Sequence, residues 1–171
     1  AKRLIAGSLK AGHGALSEYD SKRVLAAYGV PVTRERLVKT AAEAKVAATR
    51  LGYPVVLKGC AHDLLHKTEA GLVAVGLSSA REVADAFETL KKRAGKAFNG
   101  AFLVQEMVKG DRELMIGMIR DAQFGPSVMF GLGGIFTEIL EDVSFRLAPL
   151  KSSDARAMMS QIRGAKILGA V

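Results

Sequence analysis

The sequence has one cysteine, no tryptophan and no long apolar run, and each absence excludes a class of protein. A single cysteine, Cys60, excludes an intramolecular disulfide and favours a reducing compartment. No stretch of about 20 apolar residues and no signal-like apolar segment is present, which argues against a membrane-spanning helix. We therefore expect a cytoplasmic protein without a membrane partner.

The formal net charge of +8 suggests an anionic partner. Most of the excess lies early, since residues 1–58 hold eleven Lys or Arg against four Asp or Glu. The basic residues are nevertheless scattered, and neither zinc-finger spacing nor an aromatic RNA-binding signature is present. The basic run 91–93 closes a predicted helix, where cations complement the helix dipole. We therefore do not expect nucleic acid as the partner.

The length of 171 residues, about half of them apolar, is sufficient for a buried core in one or two small domains. Residues 1–15, which include three glycines, are predicted to be a flexible leader, and residues 16–171 the folded domain. Helix starts are indicated where a capping residue is followed three positions later by an acid. These pairs are Ser17 with Asp20, Thr40 with Glu43, and Ser79 with Glu82.

Runs of β-branched and apolar residues predict the strands. They lie at 32–38, 54–58, 72–77, 101–108, 113–120, 127–131, 135–141 and 144–149. Helices and strands alternate over the first hundred residues, and strands then follow one another. This order predicts an α/β (α+β) fold, in which an α/β layer joins a mainly antiparallel sheet.

Two segments could contact a nucleotide. Lys58 is at the predicted end of a strand, where it could offer its ammonium to a phosphate or simply extend into water. In an extended segment Glu106 shares a face with Val108, and Glu113 follows the next turn. Such a crevice could bind adenine through its backbone and ribose through an acid. The alternative is a hairpin whose acids face solvent.

Histidines and glycines offer two further candidate sites. His62 and His66 are four residues apart near Cys60 and Asp63, but a metal site would require a helix where a loop is predicted, so no metal ligand is assigned. The GLGG sequence at 131–134 permits a close approach of the backbone to phosphates or to another chain. It is not a P-loop, because no GK[ST] follows it.

Three segments carry a specific combination of motifs: LSEYDSKRVLAAYGVPV, PVVLKGCAHDLLHKTEAGLVAVGL, and the long stretch from VQEMVKGDRELMIG through QFGPSVMFGLGGIFTE to LAPL. Together they resemble the ATP-grasp domain of NDP-forming acyl-CoA synthetases. This family includes the β subunit of ADP-forming acetyl-CoA synthetase and is related to succinyl-CoA synthetase. The resemblance extends from about Leu16 to the end of the chain, and it implies the ATP-grasp fold.

The resemblance also implies a reaction and residue roles. The reaction interconverts acid, CoA and ATP with acyl-CoA, ADP and phosphate, through an acyl phosphate and phosphohistidine. Lys58 would bind the nucleotide phosphates, Glu106 with Val108 would meet adenine, and Glu113 would bind ribose. His66 would accept phosphate from a histidine of an α-type portion and pass it to ADP. His62 is then expected to be structural.

Some parts of the family pattern are absent from the sequence. In this family an acid and an asparagine that bind metal lie in a later segment, E-x-D-x-N-P, and this chain stops at ILGAV before one. We therefore expect the Mg²⁺ ligands, the C-terminal part of the fold and the CoA-binding portion to lie outside this chain, in cis or on another subunit. This fragment alone is expected to be inactive.

The alternative function is a non-catalytic regulatory domain of a protein acetyltransferase. The carboxylic acid substrate is left open.

Overall fold

The computed structural model describes residues 1–64, 70–110, 112–134 and 142–169. They fall into two compact units, Ala1–Val108 and Lys109–Val171, and each contains one antiparallel sheet. Within the described part of the chain, no helix is long and apolar enough to cross a membrane.

The first unit has a four-stranded sheet in the order β1-β4-β2-β3, with every neighbouring pair antiparallel. The strands are β1 (Glu35–Val38), β2 (Val55–Cys60), β3 (Val73–Leu77) and β4 (Ala101–Glu106). The helices are α1 (Lys2–Lys10), α2 (Glu18–Ala26), α3 (Ala41–Leu51) and α4 (Ala80–Ala94).

The apolar core of this unit lies between the sheet and helices α3 and α4. Helix α4 contributes an apolar stripe to it, since Val83, Phe87 and Leu90 are all buried. The Phe87 ring lies 4.8 Å from the ring of Phe102 on β4. Burying side chains of this size contributes roughly 1.5–3 kcal/mol each, so this face of the sheet supplies most of the unit's apolar stabilisation.

The three predicted helix starts are also confirmed. In each, the hydroxyl of the capping residue accepts a hydrogen bond from the backbone N–H three positions later, at 3.1 to 3.2 Å. The segment predicted as a flexible leader contains the nine-residue helix α1, which has no side-chain cap and no buried residue. The boundary between this leader and the rest of the chain stays a prediction.

The second unit has a three-stranded sheet in the order β5-β6-β7. Phe130 and Leu132 of the central strand pack against Met158 and Ile162 from the helical segment that follows the sheet. The predicted strand at 135–141 lies outside the described residues. The elements are β5 (Leu114–Asp121), β6 (Gly125–Leu132), β7 (Val143–Leu147), α5 (Ser152–Gln161) and the 3₁₀ helix Arg163–Ile167.

Candidate functional site

The face of the first sheet opposite α3 and α4 carries a cluster of polar side chains among apolar ones, and we call it the polar face. Directly paired residues of antiparallel strands lie on the same face. Lys58 on β2 pairs with Leu103 on β4, and the next position on this face of β4 is Gln105, which pairs with Glu35 on β1. The strand register therefore groups one lysine, one acid and one amide on a single face.

Helix α2 contacts this polar face through Lys22. Its Nζ atom lies within hydrogen-bonding distance of four oxygens: Thr33 Oγ1 at 3.1 Å, Glu35 Oε2 at 2.7 Å, Gln105 Oε1 at 2.9 Å and Glu18 Oε1 at 2.8 Å. Burial acts to lower the pKa of Lys22, but its hydrogen bonds and ion pairs with the two acids outweigh burial and raise that pKa. Lys22 is thus a charged anchor between α2 and the sheet.

Lys58 lies inside β2 rather than at its end, which corrects the prediction. The strand continues through Gly59 and Cys60, because these residues pair with Phe102 and Ala101 of β4. The Lys58 side chain is only 17% exposed. Its position is therefore fixed by strands on both sides.

The Lys58 ammonium is held by Glu18 and does not extend freely into water. Its Nζ atom lies 2.7 Å from Glu18 Oε1, the same oxygen that accepts from Lys22. With Glu35 included, two acids face two lysines among the described residues of this cluster. A phosphate that reached Lys58 would meet a cation already paired with a carboxylate.

Glu106 is the last residue of β4, and its carboxylate is bound by Arg34. The carboxylate accepts from the Arg34 backbone N–H at 2.7 Å and from its Nε at 2.6 Å. These two hydrogen bonds lower the pKa of Glu106. Glu106 pairs with Val55, three residues before Lys58, so the strand register directs the Glu106 and Lys58 side chains to opposite faces. The two candidate side chains therefore do not line one surface of the sheet.

Val108 lies two residues beyond the end of β4, with 64% of its surface exposed. At the strand end the backbone N–H of Glu106 donates to the Arg34 carbonyl at 3.0 Å. The N–H of Met107 donates to the Pro54 carbonyl at 3.4 Å. The segment predicted to contact adenine therefore starts at a hydrogen-bonded strand end, at Glu106 and Met107, and leads to the exposed side chain of Val108.

Glu113 belongs to the second unit, where it directly precedes β5. Its carbonyl accepts from the Gly133 N–H at 2.7 Å. A Cβ atom on Gly133 would lie 3.0 Å from the Glu113 Cβ, and one on Gly134 would lie 2.7 Å from Glu113 Oε2. In this unit the GLGG backbone lies close against Glu113. Its predicted approach to phosphates or to another chain stays a prediction.

His62 makes contacts that agree with a structural role. Its Nδ1 lies 3.2 Å from the Ala15 carbonyl, and its ring stacks on His13 with centroids 3.9 Å apart. Its Nε2 lies 4.0 Å from Asp20 Oδ2. The predicted catalytic residue, His66, lies outside the described residues. Among those that are described, no three His, Cys, Asp or Glu side chains are grouped as a metal site.

A cavity of about 820 Å³ opens beside the two stacked histidines. Part of its wall is Cys60, which is on the same face of β2 as Lys58 and two residues further along. Side chains of both charges, Lys39 and Asp63, also line it. This volume is within the range of small-molecule sites. Sequence reasoning missed it because its walls come from four separate segments.

Sequence reasoning also missed Glu18, Lys22 and Arg34. The four-residue spacing of Glu18 and Lys22 is a signal for a helical ion pair. The spacing reveals neither Lys58 nor Gln105 as a further partner, because these residues are distant in the chain.

Comparison with known proteins identifies the family. The ATP-grasp domain family matches residues 7–171. The β subunit of ADP-forming acetate–CoA ligase II from Pyrococcus furiosus is 42% identical over 172 residues, covering 98% of this chain and 73% of the relative. The ADP-forming 4-hydroxybutyrate–CoA ligase of Nitrosopumilus maritimus is 44% identical over 160 residues, which cover 91% of this chain and 23% of that ligase.

Solved structures agree with these matches. A dinucleotide-forming acetyl-CoA synthetase from Ca. Korarchaeum cryptofilum, in complex with coenzyme A and Ca-AMPCP, has a TM-score of 0.93 at 39% identity. The match covers 99% of this chain and 76% of that one. Another structure of that protein contains Mg-AMPPCP and a phosphohistidine segment pointing towards its nucleotide site, with a TM-score of 0.84, 38% identity, and coverage of 99% and 74%.

This chain therefore spans about three quarters of the separate β subunit and about one quarter of the longer ligase. The predicted ATP-grasp fold is confirmed by the structural matches. These relatives are ligases, and they give no support to the regulatory alternative. The chain belongs to the ATP-grasp family and is part of the ATP-grasp portion of ADP-forming acid–CoA ligases.

Proposed function

We propose that this chain binds ATP and ADP within an enzyme that interconverts acid, CoA and ATP with acyl-CoA, ADP and phosphate. The observation that carries the proposal is Lys58, a largely buried ammonium held on the polar face of a four-stranded sheet. It occupies the position that the family resemblance assigns to the phosphate-binding lysine. An ammonium fixed by paired strands binds a phosphate with little loss of side-chain freedom.

The adenine contact is proposed to come from the backbone between Glu106 and Val108. The Glu106 carboxylate is occupied by Arg34, so this side chain fixes the end of β4 rather than binding the base. The exposed Val108 side chain offers an apolar surface to a purine ring. Glu113 is proposed to bind the ribose, because a carboxylate accepts hydrogen bonds from hydroxyl groups.

His66 is proposed to relay the phosphoryl group. A ring nitrogen attacks the phosphoryl group of a histidine on the CoA-binding portion, so that one N–P bond forms as the other breaks. A β-phosphate oxygen of ADP then attacks, the His66 N–P bond breaks, and ATP leaves. The proposal depends on the match of His66 to the HKTEAG motif. The Korarchaeum relative has a phosphohistidine segment that points towards its nucleotide site, which supports a histidine relay in this family.

Mg²⁺ and the remaining substrates are proposed to be bound by protein beyond this chain. The described residues alone do not supply three grouped side-chain ligands for the ion. When bound, Mg²⁺ would neutralise phosphate charge. The CoA-binding portion is proposed to be fused or separate, since a shorter β subunit and a longer ligase are both relatives. It would bring CoA and a small carboxylic acid. The free, buried Cys60 is consistent with a cytoplasmic location.

The reaction can be tested with the full-length protein and its CoA-binding portion. Incubation with ATP, Mg²⁺, CoA and a panel of carboxylic acids should give acyl-CoA and ADP in equal amounts, as followed by mass spectrometry. Formation of AMP in place of ADP would contradict the proposed reaction.

The nucleotide role can be tested separately by calorimetry. Lys58→Met should raise the Kd for ADP by about tenfold or more, since it removes a charge-assisted contact to phosphate. Lys45→Met is the matched control, because Lys45 is exposed on α3, which packs on the opposite face. An unchanged Kd in Lys58→Met would overturn the role of this lysine.

A further inference from the structure

The shared carboxylate of Glu18 is a feature that the proposed function does not explain. One of its oxygens lies 2.7 Å from the Lys58 ammonium and 2.8 Å from that of Lys22. All three side chains are about one-fifth exposed, so water screens these charges only in part. The cation that is proposed to bind phosphate therefore already has an anion in contact with it.

A phosphate in contact with Lys58 would meet the Glu18 carboxylate at close range. Two anions on one ammonium repel each other, and this repulsion is strong where water is partly excluded. Lys22 offers the carboxylate a second cation, and Lys22 is itself fixed by Thr33, Glu35 and Gln105. Glu18 can therefore leave Lys58 without becoming an unpaired charge.

We propose that Glu18 is a positioning residue that competes with nucleotide phosphate for Lys58. In the structure Glu18 contacts the Lys58 ammonium and holds it in place. When nucleotide binds, phosphate displaces the carboxylate, which stays paired with Lys22. The inference rests on the proposed phosphate role of Lys58. Its consequence is that Glu18 weakens nucleotide binding and so speeds the release of ATP and ADP.

The matched pair Glu18→Gln and Glu35→Gln tests this inference in the full-length protein. Each variant removes one negative charge from the same cluster. Glu35 contacts Lys22 and Thr33, whereas Glu18 contacts Lys58 as well as Lys22. Glu18→Gln should lower the Kd for ADP by about three- to tenfold, because a neutral amide competes less with phosphate. It should also lower the nucleotide KM together with kcat if release limits turnover. Glu35→Gln should change the Kd by less than about twofold.

Glu18→Asp keeps the charge and should restore a Kd close to the wild-type value. A merely structural role would make Glu18→Gln bind nucleotide more weakly, in parallel with a lower Tm. That outcome, or an unchanged Kd in a folded Glu18→Gln protein, overturns the inference.

Combining variants separates this inference from the proposed function. If Lys58→Met leaves the Kd unchanged, the phosphate role of Lys58 fails. If Lys58→Met weakens binding and Glu18→Gln does not tighten it, only the inference fails. In the double variant the effect of Glu18→Gln should disappear.

A crystal structure of the wild-type protein with ADP tests the exchange without any variant that could fail to fold. We expect a phosphate group in contact with Lys58 and the Glu18 carboxylate more than about 4 Å from the Lys58 ammonium. A retained 2.7 Å contact beside bound phosphate would refute the exchange.

Discussion

The Lys22 ammonium of α2 lies 2.9 Å from the side-chain oxygen of Gln105 on β4, although 83 positions separate the two residues. Helix α2 has no buried residue, so apolar packing contributes little to its position. Polar contacts, with Lys22 at their centre, therefore determine where α2 lies on the sheet. They also determine where Glu18, one turn earlier on α2, meets Lys58.

Lys22→Met should destabilise the first unit because it leaves the carboxylates of Glu18 and Glu35 with less compensation. We expect the free energy of unfolding to fall by about 2 kcal/mol, the order found for a partly buried charge that loses its partner. Urea denaturation measures the change. Arg23→Met, on the same helix but 53% exposed, is the control and should have a small effect. Equal losses in the two variants would show that Lys22 is not the anchor.

Local signals in the sequence were sufficient for much of the fold. Each helix cap joins residues three positions apart, and the apolar stripe of α4 repeats within one helix, so both could be predicted without tertiary structure. The sequence predicts the end of β2 at Lys58, because Gly59 and Cys60 resemble a loop. Pairing with β4 extends the strand through them.

The site itself depends on contacts between distant residues. The family resemblance predicts Glu106 as a nucleotide-site residue, but its partner Arg34 is 72 positions away and no spacing rule links them. The same holds for Glu18 and Lys58, on a helix and a strand that only folding brings together. Family resemblance named Lys58 and Glu106 but neither Glu18 nor Arg34. It could not reveal which charges neutralise one another.

Glu106 should make the stability of the first unit depend on pH. Arg34 lowers the pKa of this carboxylate in the folded protein, so its stabilising contribution is complete above the unfolded value of about 4.3. That contribution is lost as the pH falls through the lower folded value. Glu106→Gln should therefore lower the Tm at pH 7 and reduce the further loss of Tm at acidic pH. Thermal melts between pH 7 and pH 3 test this, with Glu88→Gln, an exposed acid on α4, as control. Parallel pH profiles for wild type and Glu106→Gln would refute the assignment.

Asp142 should hold the start of the 3₁₀ helix in the second unit. This buried carboxylate accepts from the N–H groups of Gly164 and Arg163, both at 2.7 Å, and the contact with Gly164 is the main cause of its lowered pKa. Asp142→Ala should speed hydrogen exchange at those two amides while β5 amides stay protected. Unchanged exchange at Arg163 and Gly164 would contradict this role.

The variant Gly134→Ala tests whether the position of the Glu113 carboxylate affects nucleotide binding. A Cβ atom at residue 134 would lie 2.7 Å from Glu113 Oε2, so Gly134→Ala should displace that carboxylate. Gly125→Ala is a close control, because Gly125 also has a positive φ but its Cβ would meet nothing within 4 Å. Both variants carry backbone strain, and only Gly134→Ala should reproduce the weaker ADP binding expected of Glu113→Gln. Similar Kd values for ADP in the two glycine variants would show that the position of the Glu113 carboxylate does not affect nucleotide binding.

His66→Ala should abolish phosphoryl transfer to ADP and leave nucleotide binding nearly intact, because an imidazole that relays phosphate is needed for chemistry and not for affinity. His62→Ala is the matched control. His62 contacts His13 and Ala15, so its loss should lower the Tm while transfer continues. In the full-length enzyme, γ-labelled ATP should label His66, and the label should be lost in acid, as expected for a phosphoramidate. Peptide mapping at alkaline pH, which avoids the loss of the label in acid, would locate the labelled histidine. Turnover of His66→Ala at the wild-type rate would remove His66 from the reaction, and label on His62 would reassign the relay.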